Sequence, residues 1–515
     1  MGIALGATWN PDLLREVGGS LAREARDKGA TVLLAPTINV FRSALNGRNF
    51  ENYAEDPVLT GRLAAAYVKG LQAGGVGATP KHFAAYGAVM AGMEYNMVDI
   101  SPQTLRDVHL PPFKAALDAG ALTVMSAFND INGVPASAHD GLLTDLLRGE
   151  WGFGGFVVSD YTADFELVAH GFAGDEREAT KLAFTAGVDM SMQSGLYAAH
   201  LPDLVASGEV SMATIDQGVR RVLAVKQAIG LFDDPYRSLD PDVEAALDPQ
   251  ALHFELARDA ARRSIVLLKN DGDLLPLRRS GQKIALIGPF ARDRDNIEGC
   301  WTLFGDKRLH VNLEDGLRAA LDDGDALVVV DGSGMEEAIE GGLETAVEAA
   351  RNADVVLLAI GEPQGFSGEA QSRTQIVIPP AQQALASWTH FPLTAWTGPL
   401  LAPVSAGALG NAILVVATIK VVLSMSWFVV VGLQPSMGVA WHRFLAFFNI
   451  WFKRHADGRT SLGELQPMLV DGKPFSMEVM EEMEEDSTLG VGKVEDFTWK
   501  GLLDFSTCTE CGRCQ

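Results

Sequence analysis

The sequence predicts an α/β fold: a (β/α)₈-type TIM barrel, incomplete at its N-terminal side, then a truncated α/β sandwich domain. Three observations carry this. Short apolar runs recur that are continuous rather than alternating, the mark of parallel strands buried on both faces. Between them stand helices with explicit start signals. A polar, proline-bearing stretch then separates two such series.

The runs in the first series are Thr31–Ala35, Val76–Ala78, Ala121–Ala127 and Gly155–Ser159. Adding Ile3–Thr8 and Gly187–Met190 gives about six strands, where a closed barrel needs eight. Asn10-Pro11, Asp56-Pro57 and Ser101-Pro102 each place a capping side chain before a proline at the first helical position. After Pro11, the residues Leu14, Val17, Leu21 and Ala25 repeat at helical spacing. The barrel domain is expected over 1–236 and the linker over 237–251, centred on the polar stretch 238–250. The second domain follows over 252–388, with a helix at 252–263. Its strands are expected at Ile265–Leu268, Ile284–Gly288, Ala326–Val330 and Val355–Ile360.

The 515 residues carry a formal net charge of −25, which argues against a nucleic-acid partner. Cysteines number four, and three of them (Cys508, Cys511 and Cys514) crowd the last eight residues, so disulfides have no part in the body of the fold. No basic region precedes an apolar stretch in Met1–Trp9. The reading is therefore no signal peptide and a cytoplasmic location for this part.

Past residue 388 the character changes. Ala408–Leu433 is almost wholly apolar, about 26 residues where roughly 20 span a bilayer. Lys and Arg lie on its C-terminal flank (Arg443, Lys453, Arg454, Arg459), which would put that side in the cytoplasm. A membrane segment is expected over 389–440 and an iron–sulfur fragment, partly ferredoxin-like, over 441–515. Cys508, Cys511 and Cys514 form C-x₂-C-x₂-C, the opening of a [4Fe–4S] ligand run, although a zinc site or chance gives the same spacing. Three thiolates supply one ligand too few for a cubane, so the cluster is expected to be incomplete.

Chemistry concentrates at strand ends. Asp160 closes the run GFVVSD, Lys81 and His82 follow VGATP, and Arg48 lies in the loop after TVLLAPTINV. Side chains there line the mouth of a barrel. One carboxylate among basic donors suits a polyhydroxylated substrate with developing positive charge at carbon. By pattern alone, a helix cap at Asp160 and an ordinary Lys-His loop pair fit equally well.

The blocks GRNFENYAEDPVLTG (47–61), KHFAAYG (81–87), VMSAFNDINGVPAS (124–137) and GFVVSDY (155–161) resemble, in order, the signature blocks of glycoside hydrolase family 3. SIVLLKNDGDLLPL (264–277) and GEPQGFSGEAQSRTQIVIP (361–379) continue the likeness, which covers about residues 1–386. The resemblance implies retaining hydrolysis of β-glycosidic bonds, β-glucosidase-like and without a cofactor. Asp160 would be the nucleophile and Glu369 the acid/base, although a glutamate in a glycine-rich loop can also serve solubility alone. Arg48, Lys81 and His82 would hold sugar hydroxyls, and Tyr161 would wall the site. The substrate implied is a β-glucoside or related oligosaccharide. FAAYGAVMAG lacks the extra histidine of the family's hexosaminidases. Met90 and Met93 stand where members usually carry glutamate and arginine, and the family's distal-hydroxyl aspartate would lie upstream of GIALGATWN.

WHRFLAFFNIWFKR (441–454) and KGLLDFSTCTECGRC (500–514) resemble heterodisulfide-reductase-related membrane iron–sulfur oxidoreductases. The expectation for the whole is a chimera: a glycosidase core, with a membrane partner through 408–433 if the tail is genuine. The alternatives are an electron-transfer fragment with an inert passenger, or a non-functional chimera.

Overall fold

The computed structural model describes residues 2–390 except 247–248, 303–304 and 323–325, together with 469–470 and 473–474. Residues 391–440 of the expected membrane segment, with the apolar run 408–433, and Cys508, Cys511 and Cys514 lie outside the described residues. Among the described residues, no helix is long and apolar enough to cross a membrane. Leu469–Val470 and Lys473–Pro474 form a two-residue antiparallel ladder.

Met1–Pro392 form one compact unit. Its first part is a run of parallel strands: β1 (Val32–Leu33), β2 (Gly77–Ala78), β3 (Thr123–Met125), β6 (Phe156–Tyr161) and β7 (Met190–Met192). β1 pairs with β2, and β3 with β6 and then β7. Parallel bridges at Thr37–Lys81 and Phe83–Ser126 carry the ladder from strand ends into the rim. A small hairpin, β4 (Asp130–Ile131) and β5 (Val134–Pro135), sits between β3 and β6. Five strands of the expected six are thus present among the described residues.

The sixth is a correction. Gly2–Ala7 is a helix, α1, not a strand. A run as short as IALGAT has no period long enough to separate the two forms. Tertiary packing decides: a Cβ on Gly6 would stand 1.8 Å from the Tyr53 carbonyl oxygen, so α1 lies tight against the 49–53 turn.

The proline-marked helices form as expected. α2 (Pro11–Asp27) is capped by Asn10, whose side chain accepts from the Asp12 and Leu13 amides. α3 (Pro57–Ala73) is capped by Asp56 through the Leu59 amide. Such caps contribute about 1 kcal/mol each. Leu14 from α2 and Leu63, Val68 and Leu71 from α3 are wholly buried in the main core with Val124 and Val157. Each buried aliphatic side chain contributes roughly 1.5–3 kcal/mol.

The linker is more ordered than its composition predicts. Pro241–Ala246 is a helix, and Asp240 caps it just as Asn10 and Asp56 cap theirs. Arg237 ties this region to the barrel by donating to the Gly75 carbonyl at 2.6 Å.

The second part of the unit has a three-stranded parallel sheet, β8 (Ile284–Ile287) between β9 (Leu327–Val330) and β10 (Val355–Leu358). Leu313–Ala320 packs near one face, while Gly342–Arg351 and Pro380–His390 cover the other. Ile265–Leu268, expected as a strand, pairs with nothing among the described residues. These four side chains are 60–91% exposed. A strand buried on both faces needs neighbours, and this run has none here.

Candidate active site

The rim is built by backbone pairing beyond the strand ends. The Lys81 amide donates to the Pro36 carbonyl, the Ile38 amide to the Lys81 carbonyl and the Phe83 amide to the Met125 carbonyl. Lys81 and His82 are thereby fixed beside the residues that follow β1 and β3. Asp160 is the penultimate residue of β6, the longest strand of the barrel. Arg48 opens a short 3₁₀ turn over Asn49–Glu51.

All six expected residues line one cavity of about 480 Å³: Arg48, Lys81, His82, Asp160, Tyr161 and Glu369. A larger hollow of about 800 Å³ lies at the sheet of the second domain, among Lys283, Val328, Thr345 and Asp354. It holds none of them.

Glu369 arrives from the second domain on a loop that docks on the barrel by named contacts. The Gly368 amide donates to the Gly47 carbonyl at 2.9 Å, and the Arg373 amide to the Leu45 carbonyl at 2.8 Å. Ser372 Oγ donates to the Gly92 carbonyl at 2.8 Å. The approach at Gly47 admits no side chain, because a Cβ there would stand 2.0 Å from the Gln371 carbonyl oxygen. At the head of the loop, the Tyr95 hydroxyl donates to Glu369 Oε1.

A chain of contacts joins the two carboxylates. Arg48 Nη1 is 3.9 Å from Glu369 Oε1. Its Nη2 is 3.2 Å from His82 Nε2, which lies 3.3 Å from Asp160 Oδ2. Asn39 sets the His82 ring: Oδ1 accepts the His82 amide and Nδ2 lies 3.2 Å from Nδ1. Arg48 itself is gripped by Glu51, at 2.7 and 2.9 Å, and rests against the Tyr86 and Trp301 rings. Trp301 donates its indole N–H to the same Glu51 at 2.8 Å.

Burial dominates the electrostatics. It pushes His82 well below its usual pKa, helped by Arg48 and Lys81, so the ring is neutral. It lowers Lys81 as well, against the pull of Asp160. Asp160 is raised by burial, with the Tyr161 amide, Lys81 and Arg48 opposing. Its Oδ1 accepts the Tyr161 amide at 2.7 Å, while Oδ2 is buried with no hydrogen-bond partner. Glu166, near both carboxylates, is raised to about 7, chiefly by burial.

Sequence reasoning missed Glu51, Glu94, Tyr95, Asn39 and Trp301. Glu51, Glu94, Tyr95 and Asn39 stand in or beside quoted blocks, but Trp301 stands in none, and no spacing rule shows that Glu51 and Trp301, 250 positions apart, meet on Arg48. Met90 and Met93, noted as departures, are about half exposed and do not line the cavity. Among the described residues no group of three or more His, Cys, Asp or Glu could hold a metal ion.

Residues 1–225 match the N-terminal domain of glycosyl hydrolase family 3, and residues 265–390 match its C-terminal domain. Over these residues the chain belongs to glycosyl hydrolase family 3. It is 40% identical over 412 residues to a periplasmic β-glucosidase of Salmonella typhimurium, covering 74% of this chain and 54% of the relative. A β-xylosidase of Formosa agariphila is 35% identical, covering 75% of this chain and 57% of that one. The crystal structure of a Listeria innocua β-glucosidase with glucose superposes with a TM-score of 0.71 at 37% identity, over 75% of this chain and 54% of that chain. The chain thus spans about half the length of these relatives.

Proposed function

We propose that the chain hydrolyses β-glycosidic bonds of β-glucosides or related oligosaccharides, with retention of configuration. The observation that carries this is that the Asp160 carboxylate, at the end of β6, and Glu369 line the same cavity. Asp160 attacks the anomeric carbon as the carbon–oxygen bond to the leaving group breaks, and the Glu369 carboxyl gives that oxygen its proton. Glu369, now a carboxylate, takes a proton from water, which attacks the glycosyl–Asp160 ester and frees the sugar. Lys81 and Arg48 oppose the cost of keeping Asp160 ionised in a buried place. With neutral His82 they supply donors for sugar hydroxyls. Tyr161, half-exposed at the end of β6, forms part of the wall.

The relatives act on glucosides, xylosides and arabinopyranosides by their names. The glycone is therefore assayed with a panel of aryl β-glycosides, for which we expect β-glucoside turnover. Asp160→Ala should lower that turnover at least about 10³-fold, since no ester can form. Glu369→Ala should slow alkyl glycosides far more than activated aryl glycosides, with azide restoring part of the latter. Activity within tenfold of the parent in Asp160→Ala removes that residue from the role.

A further inference from the structure

Glu94 is a buried acid with no place in the mechanism above. Its side chain is wholly buried. One carboxylate oxygen, Oε2, accepts the amide of Ala370, the residue directly after Glu369. The other, Oε1, lies 3.5 Å from Arg48 Nε and has no hydrogen-bond partner. Its neighbour Tyr95 holds the Glu369 carboxylate itself.

The other anchors of the 368–373 loop differ in kind. Gly47, Leu45 and Gly92 offer carbonyl oxygens, which any residue at those positions would supply. Glu94 alone of these anchors uses a side chain on the peptide next to Glu369. The same carboxylate stands against the guanidinium that touches both Glu369 and His82. Burial of this acid pushes its pKa up to about 7, with Arg48 as the main opposing influence. A buried acid at that cost fits a site held for positioning better than one held for stability.

We infer that Glu94 is a positioning residue: it fixes the Glu369 loop to the barrel through Ala370 and aligns that loop with Arg48. The inference rests on the glycosidase reading for its kinetic half and on geometry alone for its structural half. Ala370 has a left-handed backbone, φ 59°, which a non-glycine residue adopts only when its surroundings hold it there. The Glu94 carboxylate is one such hold.

The experiment compares full-length parent, Glu94→Gln and Glu94→Ala in two measurements. The first is amide hydrogen exchange across residues 366–373, which needs no activity. Exchange in Glu94→Ala should rise at least about tenfold over the parent. Glu94→Gln retains an acceptor for Ala370 but no charge against Arg48, so it should fall between. Gln also keeps the shape of the acid, and so reports even where Ala does not fold. The second is kcat/KM on an alkyl β-glucoside and on a dinitrophenyl β-glucoside. Misplacing the acid should cost the alkyl substrate at least about tenfold and the activated one under about threefold. Unchanged exchange in both variants overturns the inference. Equal losses on the two substrates by an active parent also overturn it, since a merely structural residue lowers both alike. A parent inactive on every glycoside defeats the glycosidase reading instead, and the exchange data then decide Glu94 alone.

Discussion

Asp160 is held between opposing influences, and their balance sets how the site responds to pH. Burial raises its pKa, while the Tyr161 amide, Lys81 and Arg48 lower it. The nucleophile must be ionised to attack, so activity is lost as pH falls through the raised value. The acid limb of kcat/KM should therefore lie above the ordinary aspartate range. Lys81→Met removes an opposing charge, so it should move that limb to still higher pH as well as weaken binding. A pH profile with an activated aryl glucoside checks it, and a limb that stays put or moves down denies Lys81 this influence. Strand ends marked Asp160, Lys81, His82 and Arg48 as candidates, since barrel chemistry sits at strand ends, and the family resemblance supplied the roles that pattern alone left open. Glu94 and Tyr95 were not, because their partners lie some 275 positions downstream and reach them only through tertiary folding.

Elements were legible where a local signal was strong. Asn10-Pro11 and Asp56-Pro57 open α2 and α3 as their caps dictate, since capping is a contact within one turn. IALGAT and SIVLLK, both short apolar runs, were misread as strands. The first is a helix pressed on Tyr53, and the second pairs with nothing among the described residues. Neither outcome is written in the run itself, because a short apolar stretch takes the form its neighbours allow. In the proposed reaction the docked loop matters because it carries Glu369. Gly47→Val would place a side chain into the Gln371 carbonyl, so the loop must lift from the barrel. We expect turnover of alkyl β-glucosides to fall at least about 100-fold while the barrel keeps its thermal midpoint. Circular dichroism melts beside the kinetics measure both, and full activity would show that the loop docks by another route.

At the scale of the molecule, two α/β parts line one cavity, because Asp160 stands on the barrel part and Glu369 on the second part. The second part leaves apolar surface open to water at Ile265, Val266, Leu267 and Leu268. A contiguous patch of this kind promotes self-association. Replacing Ile265 and Leu268 by Ser should lower light scattering and dye binding without moving the melting temperature, since neither side chain is packed. A drop in melting temperature would show that the segment is buried in solution. The central claim is that Asp160 is the nucleophile of a retaining β-glycosidase. It is tested most directly by incubating the chain with a dinitrophenyl 2-deoxy-2-fluoro-β-glucoside and sequencing the labelled peptide by mass spectrometry. The account predicts one fluoroglucosyl group on Asp160, lost when Asp160 is replaced by Ala. A label on another residue, or turnover of β-glucosides with no label at all, would contradict it.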